Sequence, residues 1–82
     1  MVKGSILIDN MRYSITESSI MSSGDIILHR RTGSVYIIST IQFGTAVLRP
    51  FYPDRVSETR LFIDPTKLPI EYWKVERWQS VR

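Results

Sequence analysis

The sequence predicts a small all-β domain, a barrel or a meander, in one unit spanning residues 1–82. Two observations support this prediction. The segment from Gly24 to Pro50 contains three strand-like stretches that are joined by two short turns, each with a glycine. The middle stretch, Ser34 to Gln42, is apolar on both faces, which is typical of a curved strand that is covered on both sides.

Composition limits the classes to which the protein can belong. The chain is 43% hydrophobic and 23% charged, which favours a packed core over disorder. It contains no cysteine, so we expect a reducing compartment, most simply the cytoplasm, and no Cys-based zinc site. No apolar run approaches the roughly 20 residues that cross a bilayer, and no signal peptide follows Met1. We therefore expect a soluble protein without a membrane partner.

The first quarter of the chain is predicted to be a hairpin followed by a loop. Gly4 to Thr16 forms the hairpin, with Asp9 and Asn10 as its two-residue turn because these residue types tolerate positive φ angles. Thr16 to Gly24 is rich in serine and lacks periodicity, so we expect a loop or a single helical turn around Ile20 and Met21. This loop is long enough to contribute to binding.

The central segment is predicted to contain three strands. The first ends at His29, and Arg30 to Gly33 forms its turn with Gly33 in the left-handed region. The second returns along Ser34 to Gln42. Strict alternation would put Val35, Ile37 and Ile41 on one face and Tyr36, Ile38 and Thr40 on the other. After a turn at Phe43 and Gly44, the third strand covers Thr45 to Arg49 and ends at Pro50.

The last third is predicted to contain two strands around a short helical turn. Phe51 to Glu58 is a loop and Thr59 to Ile63 is a strand. Asp64 and Pro65 mark the start of a 3₁₀ turn, because aspartate caps helices and proline at the first position loses no needed donor. Pro69 should end this turn, and Ile70 to Arg77 should form the final strand. We expect Trp78 to Arg82 to be a frayed tail.

Part of the chain resembles a known group of small barrels. The stretch Gly24–Ile27, together with Thr32–Tyr36, resembles the opening hairpin of KOW, Tudor and related SH3-like modules. In those modules one glycine before the strand and another at the hairpin tip frame alternating apolar residues. The resemblance implies an SH3-like barrel of five to seven short antiparallel strands, with a one-turn 3₁₀ helix before the last strand. It also implies a module that binds nucleic acid or a protein acting on nucleic acid. The Gly4–Thr16 hairpin is extra to this pattern.

Catalytic and metal-binding roles lack support in the sequence. His29 is the one histidine, and a metal site needs several converging ligands. No serine lies in a nucleophile elbow, and no glycine-rich phosphate loop is present. Asp54, Glu58 and Asp64 flank a turn and a cap, which explains them structurally. We therefore expect a protein that is not an enzyme and that uses neither a cofactor nor a metal.

Arginines suggest a nucleic-acid interface. The net charge is +3, from eleven Lys and Arg against eight Asp and Glu, and eight of the cations are arginine. Arginine binds phosphates through its planar fork, and aromatic residues beside it can stack on bases. The candidates at a hairpin tip and on neighbouring strands are Arg30, Arg31, Arg49, Arg55 and Arg60. The alternative is that they guard strand edges against aggregation, with Tyr36 and Phe43 in the core.

A protein-interaction surface is the second hypothesis. Tyr, Trp and Arg are enriched at interface hot spots, and the candidate anchors are Phe51, Tyr52 and Trp78. A third variant is an aromatic cage for a methylated side chain, built from Tyr13, Tyr36 or Tyr52. The sequence thus predicts a small accessory or regulatory factor, such as one encoded by a phage or mobile element. Its partner would be nucleic acid, a nucleic-acid-processing complex, another protein or a second copy of itself.

Overall fold

The computed structural model describes residues 2–51 and 60–77, apart from the Val2 side chain. The described residues form seven strands: β1 Val2–Ile8, β2 Met11–Thr16, β3 Ile26–His29, β4 Val35–Gln42, β5 Thr45–Pro50, β6 Leu61–Ile63 and β7 Tyr72–Arg77. They make one antiparallel sheet with the strand order β1-β2-β7-β3-β4-β5-β6. A 3₁₀ turn, Pro65–Lys67, and a single α-helical turn, α1 Leu68–Glu71, precede β7. The prediction of an all-β fold is therefore confirmed.

Two tight turns have the backbone that short hairpins favour. Asp9 and Asn10 join β1 to β2 with φ angles of 50° and 66°, and Phe43 and Gly44 join β4 to β5 with 52° and 72°. Positive φ at both central positions matches the right-handed twist of the flanking strands. Both turns were expected at these residues. Gly33 also has the predicted left-handed conformation, with φ 78°, and its N–H donates to the His29 carbonyl at 3.0 Å.

A bulge at Ser39 corrects the predicted faces of β4. The β4–β5 register shifts between Ile38 and Thr40, so Ser39 has no opposite residue. An extra residue reverses the alternation beyond it. Ile41 therefore packs into the same core as Tyr36 and Ile38, rather than with Val35 as strict alternation had predicted.

The first core lies on one face of the sheet beneath the helical segment. Six buried side chains from β3, β4, β5, α1 and β7 form it: Ile27, Ile38, Ala46, Leu48, Leu68 and Tyr72. Met21 from the Thr16–Gly24 loop packs against them, together with Leu61 and Ile63 of β6. Thr16 is the last residue of β2, and residues 17–25 contain neither helix nor strand, so the segment forms the loop rather than the helical turn.

The second core lies on the opposite face, which we call the outer face. Ile8, Leu28 and Val75 are buried there, with Trp73 and Phe51 packed against them. In a flat sheet β2 and β7 would separate Ile8 from Leu28, since each strand adds about 4.8 Å. Their presence in one cluster means that the β1–β2 hairpin curls over the outer face.

The helical segment is longer than the sequence predicted. The Asp64 side chain caps the 3₁₀ turn as expected, because its Oδ1 accepts from the Thr66 N–H at 3.0 Å. Pro69 does not end the segment, because it occupies the first turn of α1, where a missing N–H costs nothing. The final strand consequently begins at Tyr72 rather than at Ile70, which is 68% exposed.

Replacing Phe43 should stabilise the fold. Phe43 has a left-handed φ of 52°, which is unfavourable for a bulky residue. Its side chain is 98% exposed, so no burial of apolar surface offsets this cost. We expect Phe43→Asn to raise the free energy of unfolding by about 1 kcal/mol, because asparagine tolerates this conformation. Urea denaturation followed by circular dichroism measures it. An unchanged or lower stability would contradict this account of the turn.

The fold should become less stable in alkali because of Tyr72. Burial raises the pKa of its phenol above the ordinary value of 10.0, and the nearby Tyr36 and Glu71 raise it further. The folded-state pKa therefore exceeds the unfolded one, so stability that is present below pH 10.0 is lost as the pH rises through the folded-state pKa. Above this pH, the melting temperature should fall more steeply with rising pH for the wild type than for Tyr72→Phe. Parallel curves of melting temperature against pH for the two proteins would contradict the assignment of this loss of stability to the Tyr72 phenol.

Candidate nucleic-acid interface

Arg30 is part of the scaffold in this structure. Its Nη2 donates to the Pro69 carbonyl at 2.8 Å and its Nε to the Tyr72 carbonyl at 3.4 Å. Its Cζ lies 5.4 Å from the centre of the Trp73 ring, within the range of a cation–π contact. The guanidinium thus ties the β3–β4 turn to the start of β7. Two arginines were expected to protrude here, but Arg30 is half-buried and, of the pair, only Arg31 is exposed.

His29 stabilises the same turn. Its Nδ1 accepts from the backbone N–H groups of Arg31 and Thr32, both at 3.2 Å. Its ring meets Tyr72 edge-on, with centroids 4.9 Å apart. The residue is half-buried at the end of β3, as predicted, and these contacts give it a structural role.

Arg49 of β5 and Arg60, which directly precedes β6, are neighbours by extension of the β5–β6 register. Leu48 of β5 pairs with Leu61 of β6, and both point into the first core. Continuing this register by one residue puts Arg60 opposite Arg49, with both side chains on the outer face, and both residues are exposed. Directly opposite residues have Cβ atoms about 5 Å apart, and like charges there repel. Neither arginine forms an ion pair with a described residue.

Phe62 lies beside these arginines. It is opposite Val47 and is 68% exposed, while its neighbours Leu61 and Ile63 face the first core. We call Val47, Arg49, Arg60 and Phe62 the arginine–phenylalanine surface. Sequence reasoning missed Phe62. The available signal was alternation along the predicted Thr59–Ile63 strand, which puts Phe62 on the same face as Arg60.

Phe43 also differs from expectation. The sequence left open that it belongs to the core, but it is almost fully exposed at the tip of the β4–β5 hairpin. A strained, exposed aromatic residue at a turn is more consistent with binding than with stability.

The predicted protein-interaction anchors are not assembled by the described residues. Phe51 is half-buried and packs into the second core, with its N–H donating to the Val35 carbonyl at 2.9 Å. Tyr52 and Trp78 lie outside the described residues, as do Arg55, Asp54 and Glu58. Tyr13 and Tyr36 pack into the second and first cores respectively, on opposite faces, so they do not form a shared aromatic cage.

An open cleft of about 650 Å³ lies where β3 and β7 diverge. Its charged side chains largely neutralise one another, since Lys74 is 3.7 Å from Asp25 and 3.9 Å from Glu76. The arginine–phenylalanine surface differs from this cleft because β4 and β5 contain no acidic residue.

Searches for other kinds of site were negative. In residues 2–51 and 60–77 no group of three or more His, Asp or Glu side chains is arranged to hold a metal ion. Over the same ranges no helix is long and apolar enough to cross a membrane. Comparison with protein-family models, curated proteins and solved structures found no match to this chain.

The two arginines of the β3–β4 turn should differ in their effect on stability. We expect Arg30→Ala to lower the free energy of unfolding by about 2 kcal/mol, because a charged hydrogen bond and a cation–π contact are lost. Arg31→Ala, the matched control, should change it by less than about 0.5 kcal/mol. Urea denaturation of both variants measures the difference. Equal effects would contradict the structural role of Arg30.

Proposed function

We propose that this protein is a non-catalytic binding module for single-stranded nucleic acid, and that the strand binds on the arginine–phenylalanine surface. The observation that carries the proposal is an exposed arginine on β5 and another directly before β6, beside an exposed phenylalanine on β6. Two like charges placed opposite one another destabilise a sheet unless an anion lies between them. A phosphate is such an anion, and guanidinium groups bind it through paired hydrogen bonds.

Phe62 favours a single strand over a duplex. An aromatic ring on the face of a sheet stacks on a base whose own face is free, and bases in a duplex are already stacked. Stacking contributes about 1–3 kcal/mol per base and accepts every base type. We therefore propose binding with little sequence preference, in which Phe62 stacks on a base while Arg49 and Arg60 contact the flanking phosphates.

The proposal does not require a strongly basic protein. The net charge is only +3, so long-range attraction to a polyanion is weak. Two phosphate contacts on a single strand correspond to a slope of about −1.4 in log K against log salt concentration. The proposed site therefore contacts a short length of strand, as expected of a module that acts within a larger nucleic-acid-processing complex.

We also propose that β3 to β7 form an SH3-like barrel to which the β1–β2 hairpin is added. The strand order β7-β3-β4-β5-β6 supports this, since the last strand returns to pair with the first strand of the meander. The short helical segment directly before β7 is consistent with it, as is the bulge that bends β4.

A protein-binding adaptor is the second candidate function, and the exposure of Phe43 favours it. A phenylalanine that is 98% exposed at a hairpin tip can insert into an apolar pocket of a partner. Phe43 therefore replaces Phe51 as the best described anchor for this alternative.

Fluorescence anisotropy with labelled single-stranded DNA, single-stranded RNA and duplex DNA tests the main proposal. We expect both single strands to bind at low salt and the duplex to bind more weakly. Phe62→Ala should weaken single-strand binding at least about fivefold through lost stacking, and Arg49→Ala should reduce the salt slope by about 0.7.

Two control variants match these changes in chemistry and exposure. Ile70→Ala removes an apolar side chain that is also 68% exposed, and Lys67→Ala removes an exposed cation on the 3₁₀ turn. Both should bind single strands as the wild type does. An absence of binding at low salt, or equal losses in the control variants, would contradict the proposal and leave the adaptor function.

A further inference from the structure

The edge of β6 offers a second interaction surface. Within the described residues β6 pairs with β5 on one side and with no strand on the other. An open edge presents backbone N–H and C=O groups that can pair with another strand. Proteins usually protect such edges with charges, bulges or prolines. β6 itself has none of these: its three residues are Leu61, Phe62 and Ile63, and the middle one is largely exposed.

The residues around β6 are self-complementary. In an antiparallel pairing of two copies centred on Phe62, the two phenylalanines lie opposite one another and Leu61 lies opposite Ile63. Arg60 of each copy then lies opposite Asp64 of the other, so the ion pair occurs twice by symmetry. A register shifted by two residues would lose both ion pairs. A register shifted by one residue would place residues that face the first core opposite residues that lie on the outer face.

The backbone and side chain of Asp64 suit this pairing. Its φ of −71° and ψ of 124° are extended, so the strand conformation continues from β6 through Asp64. Its hydrogen bonds to the N–H and hydroxyl of Thr66 both use Oδ1. A carboxylate has a second oxygen that can accept from a guanidinium. Pro65 follows and, lacking an N–H, marks the end of the pairing.

We propose that the protein forms a twofold dimer in which β6 of each copy pairs antiparallel about Phe62 and joins the two sheets into one. Leu61 and Ile63 then extend the first-core face across the junction, while Phe62 and Arg49 of both copies share the outer face. In the dimer Arg60 faces Asp64 of the second copy, so of the two arginines that the proposed function assigns to phosphate only Arg49 stays unpaired. Arg49 lies one strand inside the edge, so it remains available to phosphate in the dimer.

Complementary charge reversal tests the register. Sedimentation velocity across a concentration series should show wild-type mass rising from monomer to dimer. In Arg60→Glu the introduced glutamate faces Asp64 of the second copy, and in Asp64→Lys the introduced lysine faces Arg60. Each variant alone should dimerise at least about tenfold more weakly than the wild type, because attraction becomes repulsion at both pairs. An equimolar mixture should recover the dimer, since both pairs are again opposite in charge.

Arg31→Glu is the matched control, because it makes the same charge change at an exposed arginine of the β3–β4 turn, away from the β6 edge. It should dimerise as the wild type does. Thermal melts establish that Asp64→Lys, which lacks the Thr66 cap, is folded. A wild type that is monomeric at every concentration, or an Arg60→Glu variant that dimerises normally, would overturn the proposal.

Cross-linking provides a second test that does not depend on charge. The chain has no cysteine, so Phe62→Cys introduces a single thiol. At the twofold axis the two introduced thiols face one another at a distance that a disulfide can span. Under mild oxidation we expect a covalent dimer on a non-reducing gel. Arg49→Cys should not cross-link, since three strand spacings of about 4.8 Å separate its copies. Equal cross-linking of both variants would overturn the register.

Discussion

The fold depends on β7, because this strand joins the two halves of the sheet. β7 lies between β2 and β3, and in the described residues no other strand pairing links the β1–β2 hairpin to the β3–β6 meander. The side chains of β7 alternate between the two faces of the sheet and so contribute to both cores. Tyr72 packs in the first core, and Trp73 and Val75 pack in the second. Arg30 reinforces this junction by donating to carbonyls at and just before the start of β7. The strand that organises the sheet is therefore the last of the described strands along the chain.

The position of the candidate surface follows from this arrangement. The hairpin attached to β7 curls over the outer face and covers β3 and the start of β4, but Val47 and Phe62 take no part in the second core. The first core already uses the other faces of β5 and β6 through Leu48, Leu61 and Ile63. Arg49 and Phe62 are thus held by a rigid sheet, and their exposed side chains are free to bind a ligand. Within residues 2–51 and 60–77, the same geometry leaves one edge of β6 without a pairing strand.

Local chemistry made much of the fold predictable. Asp9-Asn10, Gly33 and Gly44 adopt the positive φ angles that their residue types tolerate, whereas Phe43 adopts one that is unfavourable for it. The Ser39 bulge was not predictable, because its cause is pairing with β5 rather than a residue preference. The site was only partly predictable for the same reason. Arg49 was identified from the sequence, but its proximity to Arg60 and Phe62 depends on the β5–β6 register, and the contacts of Arg30 depend on residues about 40 positions away.

Nuclear magnetic resonance mapping tests the central claim most directly. Single-stranded oligonucleotide is titrated into ¹⁵N-labelled protein, and the amide shift of each residue is followed. The account predicts that the largest changes lie along Thr45–Pro50 and Leu61–Ile63, with small changes in β1, β2 and the Arg30–Gly33 turn. Changes concentrated at that turn, or in the cleft between β3 and β7, would contradict it.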